Sequence, residues 1–116
     1  MRMKLIVALV SDDKTDAVIE AARAGGATGV TVVTSARGEG ITPKRSFFGL
    51  DLTAHGNVVL FLVVETRARD ILEQIGSAGR FDEEPGSGVA FQIAVEDAVG
   101  LSSQISIMRE ELEEEL

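Results

Sequence analysis

Cysteine and tyrosine are absent from the sequence, histidine occurs once, and no apolar run approaches the length of a membrane span. Without cysteine there is no disulfide frame, no thiolate nucleophile and no thiolate-ligated metal site, a composition suited to the cytoplasm. The one histidine, His55, lies beside Gly56 at the end of an irregular stretch and reads as a solvent-facing loop residue. Nucleophilic or acid–base catalysis needs a nucleophile, a base and an orienting group brought together. No motif for such a site is present, so the chain is not expected to be an enzyme. A bilayer-spanning helix needs about 20 consecutive apolar residues. The opening Met1–Val10 is basic then apolar, like a signal peptide, but Asp12, Asp13 and Lys14 cut it short and no small-residue cleavage site follows at a usable distance. It reads as a buried strand.

What is present describes one ordinary globular domain. The 116 residues are 45% hydrophobic and 26% charged, enough apolar surface to fold without staples and too little charge imbalance for disorder. The net charge of −8 is unevenly spread: residues 109–116 hold five acids and one base, leaving a body of −4. Neither part favours a nucleic-acid backbone, which attracts basic patches.

Two segments match at an offset of 54 residues, the separation of Ala17 from Ile71. Leu5–Val10 and Val58–Val64 are continuous apolar runs of the kind that make buried strands. Helical spacing follows each: Ala17, Val18, Ala21 and Ala22 in the first, Ile71, Leu72 and Ile75 in the second. Gly25 and Gly79 stand where each helix should end, glycine tolerating the left-handed conformation of a C-terminal cap. Further strands follow at Gly29–Thr34 and Gly88–Val95. The order β-α-β, long loop, β-α-β predicts an α+β, ferredoxin-like βαββαβ fold: a four-stranded antiparallel sheet with two helices on one face. Both faces of Leu60–Val64 are apolar, so the other side of the sheet should be covered by oligomerisation. The domain is expected over residues 1–101, with an acidic extension, 102–116, in which residues 108–116 form a polar terminal helix.

The connections hold the candidate functional residues. The stretch from Arg37 to Gly56 has no convincing period, and a structureless loop of that length inside a compact domain is generally functional or disordered. Within it, Lys44, Arg45, Phe47 and Phe48 put two bases beside two aromatics on an acidic protein, a pattern typical of protein contact sites; the alternative is that both rings fold back onto the body. Glycines at Gly38 and Gly40, directly after a strand, and at Gly86 and Gly88, directly before one, let backbone N–H groups approach an anion, although either pair alone is an ordinary turn. Asp12, Asp13 and Asp16 resemble metal ligands, but at a helix start they read as capping residues.

Gly86-Ser-Gly-Val-Ala-Phe-Gln-Ile-Ala-Val-Glu-Asp-Ala-Val99 resembles the glycine-rich B-loop, fourth strand and following turn of the PII signalling proteins, and Gly25-Gly-Ala-Thr-Gly-Val-Thr31 resembles that family's passage from helix to second strand. The similarity runs from residue 3 to about residue 101 and places the family's T-loop at about 37–56 and its B-loop at about 80–88. It implies a cytoplasmic homotrimer packed through its sheets, acting in signal transduction and nitrogen regulation. Adenine nucleotides would bind in clefts between subunits, and the T-loop would dock on a target protein such as a membrane transporter or metabolic enzyme. By this resemblance Thr31, Arg37, Gly38 and Gly40 line the T-loop side of the cleft, and Gly86, Ser87 and Gly88 the phosphate side.

Departures accompany the match. Val89, Gly100 and Ser102 stand where the family carries basic phosphate ligands, and the position of a 2-oxoglutarate-binding lysine falls near Asn57. Asp82-Glu-Glu-Pro85 adds negative charge to the B-loop, which repels a triphosphate. The absence of tyrosine excludes the tyrosyl uridylylation of some relatives. The effector expected is ADP, AMP, ATP or a cyclic nucleotide, with no cofactor required. The alternative on the same architecture is a trimeric metal- or ion-binding protein similar to the CutA group. An acylphosphatase-like hydrolase is disfavoured, because Ser11-Asp-Asp-Lys14 is acidic where a phosphate cradle would be needed.

Overall fold

The computed structural model describes residues 2–27, 29–36 and 56–101. Its elements run β1 (Met3–Ser11), a 3₁₀ turn (Asp12–Lys14), α1 (Thr15–Ala24), β2 (Val30–Ala36), β3 (Gly56–Val64), α2 (Glu65–Ala78) and β4 (Gly88–Ala94). The strands form one antiparallel sheet in the order β2-β3-β1-β4. This is the ferredoxin-like βαββαβ arrangement expected from the repeat. The predicted terminal helix at 108–116 lies outside the described residues.

Alternation along the strands divides the sheet into two faces. On the helix side, Ile6 pairs with Phe61, and Ala8 with Val59 and Ala90. Val18 and Ala22 of α1 and Ala68, Ile71 and Ile75 of α2 close over these rows as one buried cluster. The opposite face is also apolar: Leu5 pairs with Leu62 and Ile93, Val7 with Leu60 and Phe91, and Leu9 with Val58 and Val89. At one end of it Met3 and Val64 are buried among Leu62, Val95 and Leu101, while farther along Val33 is 52%, Phe91 42% and Ile93 48% exposed.

The two halves of the repeat differ at their helix starts and agree at their ends. β1 reaches α1 through the 3₁₀ turn, whereas Val64 leads straight into Glu65 and makes α2 four residues longer than the 10-residue α1. Both helices end in the same hydrogen-bonded cap. Gly26 and Ala27 donate to Arg23 and Ala22, and Arg80 and Phe81 donate to Ser77 and Gly76, the pairing of a Schellman motif. The left-handed residue is therefore not the predicted glycine. Gly25 and Gly79 keep right-handed φ values of −80° and −83°, and the positive φ falls one residue later, on Gly26 (107°) and on Arg80 (53°).

Gly79 has a different reason to be glycine. A Cβ there would fall on the ring of Phe81, and a Cβ on Gly88 would stand 2.7 Å from the Leu9 carbonyl oxygen as well as against the same ring. Phe81 thus packs in the space left by two missing side chains, tying the end of α2 to the start of β4.

Candidate functional site

One end of the sheet gathers three connections. Ala36, the last residue of β2, pairs with Gly56, the first of β3, so residues 37–55 leave and return at one place. Gly56 pairs in turn with Ser11, whose N–H donates to the Ser87 carbonyl at 2.9 Å. The long segment, the turn after β1 and the 80–88 loop therefore meet along one edge of the fold.

The turn after β1 is fixed from β3. Asn57 is buried, and its side-chain amide donates to Thr15 Oγ1 at 2.6 Å and to Asp12 Oδ1 at 3.1 Å. Thr15 donates its own hydroxyl proton to the Ser11 carbonyl, and Ser11 Oγ donates to Asp13 Oδ1. The capping role predicted for these acids is corrected here: neither Ser11 nor Lys14, the two N-cap residues, makes a side-chain cap bond, and Asp12 and Asp13 accept from side chains. Their charge still lies in the first turn, where the helix dipole favours it. No group of three or more His, Asp or Glu placed to hold a metal ion occurs among the described residues.

The 80–88 loop folds around Glu84. Its N–H donates to the Arg80 carbonyl at 2.8 Å and its carbonyl accepts from Ser87 N–H at 3.1 Å. Its carboxylate receives Lys14 Nζ at 2.9 Å on one oxygen and Arg80 Nε at 3.2 Å on the other. The hydrogen bond from Lys14 is the main cause holding the Glu84 pKa below its ordinary value of 4.5, aided by the charges of Lys14 and Arg80 against some desolvation.

The predicted effector residues are placed as follows. Ser87 is 5% exposed and donates its hydroxyl proton to the Arg80 carbonyl at 3.0 Å, inside the loop. Gly86 takes a φ of 83°, and Gly88 opens β4. Thr31 lies on β2, paired with Leu60 on the open face of the sheet. β2 and β4 are the two outer strands, separated by β3 and β1, about 14 Å apart at the usual spacing. One copy of the chain does not bring Thr31 against Gly86–Gly88. Arg37, Gly38 and Gly40, and the contact residues Lys44, Arg45, Phe47 and Phe48, lie outside the described residues, as does Ser102.

On the side away from Lys14, α2, residues 81–83 of the loop and β4 line a groove of about 590 Å³. Glu73, Asp82 and Glu83 line it, against one guanidinium, Arg69, which is itself 3.1 Å from Glu73. A polyphosphate entering from this side meets net negative charge. Sequence reasoning missed the pairing of Lys14 and Arg80 on Glu84, because Lys14 lies in the turn after β1, far in sequence from the loop that holds Arg80 and Glu84. The offset of 54 held one clue: it aligns Arg80 with Gly26, a position that needs positive φ.

Among known proteins, the family model described as nitrogen regulatory protein P-II matches residues 3–104. No curated protein sequence matches the chain. A PII-like signalling protein from Thermus thermophilus superposes with a TM-score of 0.60 at 24% identity, over 82% of this chain and 88% of that one. The structure described as CPII bound to ADP, AMP and acetate, from Thiomonas intermedia, superposes with a TM-score of 0.62 at 20% identity, over 83% and 90% respectively. At these identities the likeness to both structures is one of fold.

Proposed function

Because the chain belongs to the nitrogen regulatory protein P-II family, we propose that it is a non-enzymatic cytoplasmic sensor in which an adenine nucleotide, bound between copies, controls a partner protein through residues 37–55. The working form is a homotrimer packed through the open faces of its sheets. Burying Val33, Phe91 and Ile93 against other copies removes apolar surface from water, at about 25 cal/mol per Å². In such an assembly the β2 edge of one copy lies near the 80–88 loop of another, which brings Thr31 and Arg37–Gly40 toward Gly86–Gly88.

The observation that carries this reading is the meeting of the long segment's two ends, the turn after β1 and the 80–88 loop on one sheet end. A ligand seated there touches the root of the segment, so its binding energy can select among the segment's conformations. The relative bound to ADP and AMP supports nucleotides as effectors. Val89 and Gly100, without charge, and the acids of residues 82–84 favour fewer phosphates, placing ADP and AMP ahead of ATP.

The test is calorimetric and thermal-shift titration of the purified assembly with AMP, ADP, ATP and a cyclic nucleotide. Binding of AMP or ADP is expected; no response to any of the four at millimolar concentration rejects the nucleotide reading. Deleting residues 41–54 should abolish capture of the partner. Under the ion-binding alternative the same deletion leaves the protein's cation affinity intact.

A further inference from the structure

Lys14 closes the turn after β1 and Arg80 follows α2, yet both direct their cations at one carboxylate, each at a separate oxygen: Lys14 Nζ to Glu84 Oε2 at 2.9 Å and Arg80 Nε to Glu84 Oε1 at 3.2 Å. Two donors from two elements converging on a two-oxygen anion is also the arrangement that recognises a phosphate. Lys14 is the more sheltered of the pair, its side chain 20% exposed against 56% for Arg80. Glu84 is additionally held by its backbone, through the bonds to Arg80 and Ser87.

We infer that Lys14 and Arg80 form a binding site for a phosphate-type oxyanion and that Glu84 is its built-in occupant, a tethered competitor that an incoming anion must displace. The inference rests on the proposed reading in one respect, that the anion is part of the protein's effector. A group fixed by a short stretch of chain competes at an effective concentration in the millimolar range or above, so weak monovalent anions are excluded and a ligand with two or more phosphate oxygens is favoured. When the anion takes both cations, the Glu84 carboxylate is released, and the 80–88 loop loses its ion pair to the turn after β1 while the Ser11–Ser87 backbone bond remains. The site thereby couples occupancy to the same sheet end from which residues 37–55 depart.

The experiment titrates inorganic pyrophosphate, AMP and ADP into the wild-type assembly, Glu84→Gln, and Glu84→Gln combined with Lys14→Gln. Glutamine keeps the size of the side chain and removes its charge, so Glu84→Gln should bind pyrophosphate about two- to tenfold more tightly, the range expected for removing an exposed ionic competitor. Adding Lys14→Gln should cancel the gain. Unchanged affinity in Glu84→Gln, or a gain that survives loss of Lys14, overturns the proposal. Should Glu84→Gln fold poorly, Lys14→Gln alone decides: weaker pyrophosphate binding than wild type supports the site, and equal binding refutes it. The two readings separate cleanly. Wild type binding ADP with no change in Glu84→Gln removes only the tethered competitor, whereas a pyrophosphate gain in Glu84→Gln without nucleotide binding by any variant removes only the nucleotide effector.

Discussion

The side-chain amide of Asn57, second residue of β3, donates a 2.6 Å hydrogen bond to the hydroxyl of Thr15, first residue of α1, and both residues are buried. The same amide reaches Asp12, so a single side chain fixes the turn between β1 and α1 from the neighbouring strand. Replacing Asn57 by leucine leaves Thr15 and Asp12 without this donor in a sheltered place. The expected loss is about 1–3 kcal/mol of unfolding free energy, read by urea denaturation. Thr15→Val should cost a similar amount, and the double variant less than the sum, because one interaction is being removed twice.

Gly88→Ala should destabilise the fold by more than an ordinary glycine substitution in a strand. The added methyl meets the Leu9 carbonyl, a backbone atom of the central strand, and β4 must shift to admit it. The atoms nearest a methyl on Gly79 all belong to the Phe81 ring, so combining Gly79→Ala with Phe81→Leu should recover part of its loss. Thermal unfolding of the three variants checks both expectations.

Arg80→Gly sets two effects against each other. A left-handed non-glycine residue costs about 1–2 kcal/mol, whereas the ion pair to Glu84 is exposed and screened by solvent. The conformational term is the larger, so this variant should be at least as stable as the wild type in denaturant melts. A clear loss of stability would show that the Glu84 contact outweighs backbone strain.

Acid should weaken the 80–88 loop before the core. The Glu84 pKa is lowered in the folded state, chiefly by the Lys14 hydrogen bond, so the folded protein binds that proton less readily than the unfolded chain. The stabilisation is present above the ordinary value of 4.5 and is lost as pH falls through the lower folded value. The difference in melting temperature between wild type and Glu84→Gln should hold from neutral pH down to about 4.5 and shrink below it. A difference that shrinks at higher pH would point to another group.

Phe91→Lys places a charge in the middle of the open apolar face without touching the helix-side core. Under the trimer proposal, sedimentation should show the assembly shifting to monomer, while far-UV circular dichroism keeps the wild-type shape. An intact trimer would move the subunit contact elsewhere.

Much of the fold was written in local pattern. The apolar runs at Leu5–Val10 and Val58–Val64 became β1 and β3, and Val18, Ile71 and Ile75 fell in the core as their helical spacing requires. The glycines at 25 and 79 marked the helix ends to the residue, yet they did not reveal which residue turns left-handed. That depends on which carbonyls the next two N–H groups reach, and the result placed positive φ on a glycine in one half and on an arginine in the other.

By itself, then, the sequence determined the order of elements, the two apolar faces of β3 and much of the core, although Ala17 is exposed, because alternation and helical period act over a few residues and are printed in the order of side chains. Only the tertiary structure decided what the sheet end contains. Asn57 meets Thr15 across 42 positions of sequence, and Lys14 meets Glu84 from a different half of the repeat. Such contacts depend on how the β-α-β halves pack on each other, a long-range outcome that no local period records.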